Sequence, residues 1–169
     1  MKATLKIFTL TAVLLGFASI SFAQSTDNAT ADAKATILTA LEISVVHDLD
    51  FGTIASTNAL QEAKIIAASG GDRTGAAYVG STYSVGEFLI KGEKGQAVNF
   101  SVEAETKLTD TDGGTETMDI TFTNSISGTS FTLNTNGQTT MYVGGTLKVA
   151  AGQASGDYKG TYKATVNYN

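Results

Sequence analysis

The chain has no cysteine, no proline and no tryptophan, and it has one histidine. Without cysteine, neither disulfide bonds nor thiolate metal sites can form, so side-chain packing and backbone hydrogen bonds must supply the stability. His47 alone cannot supply the several ligands of a zinc hydrolase, and no G-x-S-x-G motif accompanies it for a Ser-His-Asp triad. The sequence therefore predicts a protein that is not an enzyme, without catalytic residues, metal or cofactor.

Basic residues are also scarce, with 11 lysines and arginines against 16 aspartates and glutamates. Nucleic acids and anionic membrane surfaces are bound through a basic face. An acidic chain of this kind is not expected to have nucleic acid or a membrane surface as its partner.

One long apolar run is present, and it lies at the N-terminus. Lys2 and Lys6 precede it, it extends over residues 7–20, and Ser21 and Ala23 follow as small residues. These features predict a secretory signal peptide over residues 1–23, cleaved after Ala23, and export to the periplasm, cell surface or extracellular space. Because polar residues begin at position 24, the run is too short for a membrane span of about 20 residues, and none is expected after cleavage.

Removal of residues 1–23 leaves 146 residues and changes the formal charge from −5 to −7, because two lysines are lost. This length is suited to one domain with one core. We expect a polar segment over residues 24–33 and a single β-domain over residues 34–169.

Apolar and polar residues alternate in most of the chain after residue 34, which is typical of strands with one buried face. The clear runs cover residues 35–45, 98–104, 118–122, 140–149 and 158–168. Shorter candidates lie near residues 51–54, 64–68, 76–79, 85–90 and 130–133, and residues 55–64 have room for one helical turn. Glycine-rich turns, including Asp112-Gly113 and Asn136-Gly137, separate the runs and favour tight hairpins. The pattern predicts an antiparallel sandwich or barrel.

Three groups of polar or aromatic residues are candidate sites. Asp48 with Asp50, and Glu103 with Glu105, resemble carboxylate pairs of glycoside hydrolases, but the polar phase of the strands already explains them. The acidic turn that contains Asp110, Asp112 and Glu116 matches a calcium loop in part and fits a hairpin turn better. The six tyrosines could stack on sugar rings, although three of them share the apolar face of the last run.

Two motifs carry a family resemblance. The first is Leu49-Asp50-Phe51-Gly52, and the second runs from Gly152 to the C-terminus and includes Gly156, Tyr158, Gly160, Tyr162, Val166 and Tyr168. Together they resemble the bacterial domain-of-unknown-function family numbered 4402 and the spore coat protein U group, which includes Csu-type pilins. Coat protein U pilins usually contain cysteines, and this chain does not.

The resemblance implies an immunoglobulin-like antiparallel β-sandwich, pilin-like, on the bacterial surface. It further implies assembly through a periplasmic chaperone and an outer-membrane usher, with self-association or contact with other surface subunits. In such pilins each subunit receives a strand from its neighbour. The run with Ala35, Ile37, Leu41, Ile43 and Val45 on one face can serve as that donor or as an edge strand of its own domain.

We therefore expect a structural subunit of a pilus or surface layer. A secreted monomeric module that binds glycans or a surface is the alternative, and an exposed aromatic platform would favour it. A hydrolase is disfavoured because it would have to be built on the single histidine.

The first testable prediction concerns the mature N-terminus. Signal peptidase requires small residues at the positions that Ser21 and Ala23 occupy, so the exported protein should begin at Gln24. Intact mass or N-terminal sequencing of exported protein measures this directly. Exported protein that still contained residues 1–23 would contradict both the cleavage site and the localisation.

Overall fold

The alternating pattern corresponds to an all-β, antiparallel structure. The computed structural model describes residues 26–169, which form thirteen strands and no helix. The strands are β1 (Glu42–His47), β2 (Thr53–Ile54), β3 (Gln61–Ile65), β4 (Arg73–Thr74), β5 (Tyr78–Val79), β6 (Gly86–Lys91), β7 (Ala97–Ala104), β8 (Lys107–Asp110), β9 (Thr117–Asn124), β10 (Ser130–Thr132), β11 (Gln138–Val149), β12 (Tyr158–Lys159) and β13 (Tyr162–Tyr168).

The chain divides into two units, Met1–Thr36 and Ile37–Asn169. The described part of the first unit, residues 26–36, is exposed and forms no regular secondary structure. The predicted signal peptide and its cleavage site lie outside the described residues. Between residues 26 and 169 there is no helix of the length and apolar character that crossing a membrane requires.

Strand β11 organises the larger sheet, whose order is β1-β6-β11-β9-β8-β12, with β3 also paired to β11 and β4 to β3. The first half of β11 pairs with β6 through Val143, and the second half pairs with β3 from Gly145 onward. Gly144 lies between the two partners, where a Cβ atom would overlap the carbonyl oxygen of Ile65. Glycine is therefore required where β11 changes its neighbour.

A second sheet has the order β10-β7-β13, and a two-stranded sheet joins β2 to β5. The last strand, β13, pairs with β7 along its whole length, from Tyr162 opposite Ala104 to Tyr168 opposite Val98. Alternate residues of β7 and β13 face the larger sheet, which gives the two sheets a shared apolar layer.

The core consists of two clusters of buried side chains. The first cluster packs on β3, β9 and β11 and contains Phe51, Ala63, Ile65, Met118, Ile120, Leu147 and Val149. The second cluster lies between the two larger sheets and contains Phe88, Ile90, Val98, Phe100, Leu133, Met141 and Val143. No polar or charged side chain is buried among the described residues. Apolar burial is therefore the main stabilising contribution.

The predicted run over residues 158–168 is not one strand but two. β12 pairs with β8, whereas β13 pairs with β7, so the chain passes from one sheet to the other at Gly160 and Thr161. A Cβ atom at Gly160 would lie 2.7 Å from Leu108 Cδ2, and the Thr161 N–H donates to Glu105 Oε2 at 2.9 Å instead of to a ladder. The alternation of apolar and polar residues continues through the break, because the even-numbered residues are the partly buried ones in both β12 and β13.

The N-terminal run also differs from its prediction. Strand β1 begins at Glu42 and not at residue 35, so Ala35, Ile37 and Leu41 lie outside any strand. The reason lies at Thr39, whose N–H and hydroxyl donate to the Glu93 side chain and whose carbonyl accepts from a tyrosine. These bonds use the backbone groups that a strand ladder would need.

Three short segments were misjudged or missed. Residues 55–64 contain no helical turn, and β3 begins at Gln61 inside that range. The strands β4 and β8 have no counterpart in the prediction, because two and four residues are too few for alternation to be visible.

Two adjacent isoleucines test the buried phase of β3. Ile65 is fully buried, whereas Ile66 is 44% exposed. Ile65→Ala should therefore lower the free energy of unfolding by about 2–5 kcal/mol. Ile66→Ala, the matched control, should lower it by less than about 1 kcal/mol. Urea unfolding of the mature chain measures both values, and equal losses would contradict the assigned phase.

Candidate functional site

The two sequence motifs face each other across a cleft of about 920 Å³. Residues 48–54 line one wall, and residues 153–164 line the opposite wall. The floor is apolar and includes Phe51, Phe88, Phe122 and Leu147. The cleft therefore lies directly above buried core residues, beside the two segments that carry the family resemblance.

Two strand edges border this cleft. Ile43 and Val45 of β1 line it, as do Tyr162, Lys163 and Ala164 of β13. β1 ends the order of its sheet and β13 ends the order of the smaller sheet, so within residues 26–169 each has one edge without a neighbouring strand. Val45 is 59% exposed although it is apolar and lies in a strand. Unpaired backbone groups and an apolar floor are thus placed together.

Tyr162 connects the two walls. Its hydroxyl accepts a hydrogen bond from the Leu49 N–H at 3.3 Å, and its ring packs against Phe88 and Phe122 with centroid distances of 5.8 and 5.0 Å. Burial raises the pKa of the Tyr162 hydroxyl. A Cβ atom at Gly86 would lie 2.5 Å from that hydroxyl, so glycine provides the space for it.

Tyr168 repeats this arrangement at the other end of β13. Its hydroxyl donates to the Thr39 carbonyl at 2.5 Å and accepts from the Glu93 N–H at 2.6 Å. A Cβ atom at Gly92 would lie 2.5 Å from the Tyr168 hydroxyl. Thr39 precedes β1 and Leu49 follows it, so the two tyrosines hold β1 at both ends.

The motif residues have identifiable structural roles. Asp50 Oδ1 accepts from the Gly52 N–H at 2.8 Å, and Gly52 has a φ of 73°, a conformation that glycine adopts without penalty. This turn directs Phe51 into the core, where it is 7% exposed.

In the second motif, the Tyr158 hydroxyl donates to the Ala154 carbonyl at 2.9 Å and accepts from Gln153 Nε2 at 3.0 Å. Gly156 lies against the Asp110 carboxylate, and Val166 packs against the second core cluster. These contacts shape the wall of the cleft and the strand that follows it.

Three of the carboxylates accept hydrogen bonds from backbone N–H groups. Glu105 accepts from Thr161, Asp50 accepts from Gly52, and Asp110 Oδ1 accepts from the Asp112 N–H at 2.8 Å. Within residues 26–169 no three His, Asp or Glu side chains are grouped so that they could hold a metal ion. The acidic turn with Asp110, Asp112 and Glu116 is the loop of the hairpin formed by β8 and β9. His47 Nδ1 lies 3.1 Å from Glu87 Oε2 on the solvent side.

None of the six tyrosines forms an exposed platform, because every one is partly buried. Tyr78 and Tyr83, which lie apart from the last strand, hold the Arg73 guanidinium at 4.5 and 4.8 Å from their ring centroids. Arg73 also donates to the Thr82 carbonyl at 3.3 Å. Both rings are therefore used in an internal cation–π contact.

The motif residues were found from the sequence, but Gly86, Gly92 and the Glu93–Thr39 contact were missed. A signal was present: the two glycines are six residues apart, and so are Tyr162 and Tyr168. Equal spacing at these positions places each hydroxyl beside one glycine. No sequence pattern pointed to Glu93, because its partner lies 54 residues away.

A family model described as Domain of unknown function (DUF4402) matches residues 41–168. The match begins just before β1 and ends at the last residue of β13, so it includes both walls of the cleft. No curated protein matches the chain.

The contact between Glu93 and Thr39 gives a pH-dependent prediction. The hydrogen bonds from Thr39 lower the pKa of Glu93 below its ordinary value. The contact therefore stabilises the fold at neutral pH and is lost as the pH falls through the lowered pKa of Glu93. Amide hydrogen exchange at Thr39, corrected for its intrinsic pH dependence, should become faster only when the pH falls below 4.5, the ordinary value for glutamate.

Glu93→Gln is the matched control, since glutamine keeps the shape of the side chain and does not titrate. Exchange at Thr39 in this variant, corrected for its intrinsic pH dependence, should not change on acidification. Identical pH profiles in the two proteins would show that Glu93 does not hold Thr39.

Proposed function

The chain belongs to the DUF4402 family, and on that premise we propose that it is an exported, non-enzymatic structural subunit of a pilus or other bacterial surface structure. The subunit polymerises by strand addition, in which each copy receives a strand from a second copy. The cleft between β1 and β13 is the acceptor.

One observation carries this proposal: two strand edges without neighbours border the same cleft, whose floor is apolar and whose walls are polar. An inserted strand satisfies free backbone N–H and carbonyl groups and covers the apolar floor in one step. Phe51, Phe88 and Phe122 lie in that floor, so apolar side chains of the guest find apolar neighbours there. Both contributions disappear together when the strand leaves, which makes dissociation slow.

The position of β1 determines where the guest strand originates. Ile43 and Val45 belong to β1, which pairs with β6 of its own molecule and is part of the acceptor. The donated strand must then come from upstream of β1, where residues 26–36 are exposed and belong to no sheet. The predicted donor run over residues 35–45 is thus divided, and only its first part is available.

The finer assignment of the fold belongs to the same proposal. Two antiparallel sheets that share a core support an immunoglobulin-like sandwich related to the coat protein U and Csu-type pilins. A periplasmic chaperone would then cover the cleft before assembly, and an outer-membrane usher would export the subunits to the surface.

A monomeric binding module for glycans or a host surface is the second candidate. An exposed aromatic platform would favour it, and the tyrosines of this chain are instead packed against other groups. The cleft itself could hold an apolar ligand, but its two strand edges would then stay unpaired. A peptide strand uses both features of the cleft.

Native multimerisation tests the proposal. Protein from the cell surface, or purified mature protein, should give a ladder of multimers on unheated gels that collapses to one band on boiling. Deleting residues 24–36 should abolish the ladder, because no strand remains to be donated. Strand β1 and the Thr39 contacts are retained in this variant, so its circular dichroism spectrum should stay that of the intact domain.

The deleted protein also provides a control. It keeps an open cleft, so it should cap chains of the full protein and shorten the ladder when the two are mixed during assembly. A mature protein that is monomeric at high concentration and on cells would overturn the proposal and place the binding module first.

A further inference from the structure

The chain between β1 and β6 is one long hairpin that folds back on itself. Along its length β1 pairs with β6, β2 with β5 and β3 with β4. Both β6 and β3 run antiparallel to β11, and β1 runs antiparallel to β6, so β1 and β3 have opposite directions. The hairpin therefore reverses between these two strands. Its middle part contains β2 and β5, and we call residues 50–55 and 77–84 the covering ribbon.

The backbone hydrogen bonds of the covering ribbon are internal to it. Asp50 and Ser84 exchange two bonds of 2.9 Å, and the Ala55 N–H donates to the Ala77 carbonyl at 2.8 Å. Within residues 26–169, the two-stranded sheet of β2 and β5 pairs with no further strand. The ribbon thus shares no ladder with the larger sheet, and side chains must attach it.

The covering ribbon lies over the first core cluster with little apolar burial of its own. Among its residues Phe51 alone is buried, and Phe51 Cζ would be 3.6 Å from a Cβ atom at Gly145 of β11. Ile54 and Tyr78 pack against the same cluster, which contains Leu147, but they are only partly buried. A segment with few buried apolar contacts opens at a lower free-energy cost than the whole domain.

Gln61, the first residue of β3, attaches both arms of the covering ribbon. Its Nε2 donates to the Ala55 carbonyl at 2.9 Å, and its Oε1 accepts from the Ala77 N–H at 2.7 Å. The Tyr78 hydroxyl adds a bond to the Thr74 carbonyl of β4 at 3.1 Å. One amide group therefore uses its donor and its acceptor to hold the two arms against β3.

Arg73 of β4 attaches the ribbon at a second place. Its guanidinium donates to the Gly80 and Thr82 carbonyls and stacks on two tyrosine rings of the ribbon. The planar fork of arginine suits two acceptors at once. A Cβ atom at Gly52 would overlap the Thr82 carbonyl oxygen and lie 3.0 Å from Arg73 Nη1. The glycine of the first motif therefore leaves the space in which Arg73 contacts the ribbon.

We propose that Gln61 and Arg73 are positioning residues for the cleft, because they hold the covering ribbon and residues 50–54 of the ribbon line one wall. Neither side chain lines the cleft itself, so both act through the ribbon. When either attachment is lost, the ribbon lifts from the first cluster while the second cluster stays closed. The inference goes beyond the proposed function and does not depend on it, since the cleft has this wall whatever molecule enters.

The absence of cysteine makes an introduced thiol a unique probe of this motion. Leu147→Cys places a thiol in the first cluster, where the leucine is 2% exposed. A buried thiol is inert and reacts with Ellman's reagent only after it becomes exposed. The reaction rate in the monomer fraction of the mature protein therefore measures how often the ribbon lifts, whether or not the protein also polymerises.

Arg73→Met and Gln61→Met, each made in the Leu147→Cys protein, should raise this rate by at least about tenfold, because each removes two hydrogen bonds to the ribbon. Gln138→Met, the matched control at an exposed position of β11 outside the cleft, should change the rate by less than about twofold. Ile120→Cys, on β9 in the same cluster, repeats the measurement if Leu147→Cys does not fold.

Val98→Ala separates lifting of the ribbon from a general loss of stability. Val98 is fully buried in the second cluster, so alanine should lower the urea midpoint of unfolding. Lifting the ribbon leaves that cluster intact, so the thiol rate at position 147 should change by less than about twofold in this variant.

An unchanged rate with Arg73→Met or with Gln61→Met would overturn the inference, because that side chain would not hold the ribbon. A rate that rises with Val98→Ala as much as with Arg73→Met would overturn it too, since Leu147 would then be exposed only when the whole domain unfolds. A rise with the two ribbon variants alone supports it. The absence of multimers would contradict the proposed function and leave this result unaffected.

Discussion

The arrangement of the domain depends on the hydrogen-bond ladder of β11, a twelve-residue strand that pairs with three others. A single long strand can pair with β6 and then with β3 only if there is room where one partner ends and the other begins. Gly144 lies at that position, where it has no side chain to clash with β3. The two core clusters follow from this division, because β6 contributes to one cluster and β3 to the other. Gly144 thus separates one continuous sheet into two differently covered regions.

The cleft is a consequence of how the regions are covered. The smaller sheet lies over the second cluster, whereas the first cluster is covered by the Phe51 segment and the loop before Tyr158, with an opening between them. Tyr162 lines that opening and Tyr168 lies outside its lining, and their hydroxyls bind the residues on either side of β1. The same contacts therefore stabilise the domain and maintain the unpaired edges.

The all-β class and most strands were predictable because alternation in segments such as residues 98–104 is a local property. The break at Gly160 was not, since both halves keep one phase and only their partners differ. The start of β1 was predicted too early because the extended run is interrupted at Thr39 by a contact with Glu93, which is distant in sequence. For the site, the sequence identified both motifs as structural. That they lie on two sides of one cleft depends on the tertiary structure and could not be predicted from their spacing along the chain.

The hydrogen bond from Tyr168 to Thr39 has a mechanical consequence. Tension applied through the chain upstream of Thr39 reaches this bond and the Glu93 contact before it reaches the β1–β6 ladder. The load then passes through Tyr168 into β13, which is joined to β7 by seven residue pairs. A pull on the N-terminal segment is thus shared between the first and last strands of the domain, and the ladder of β1 is shielded from being peeled open at its first residue.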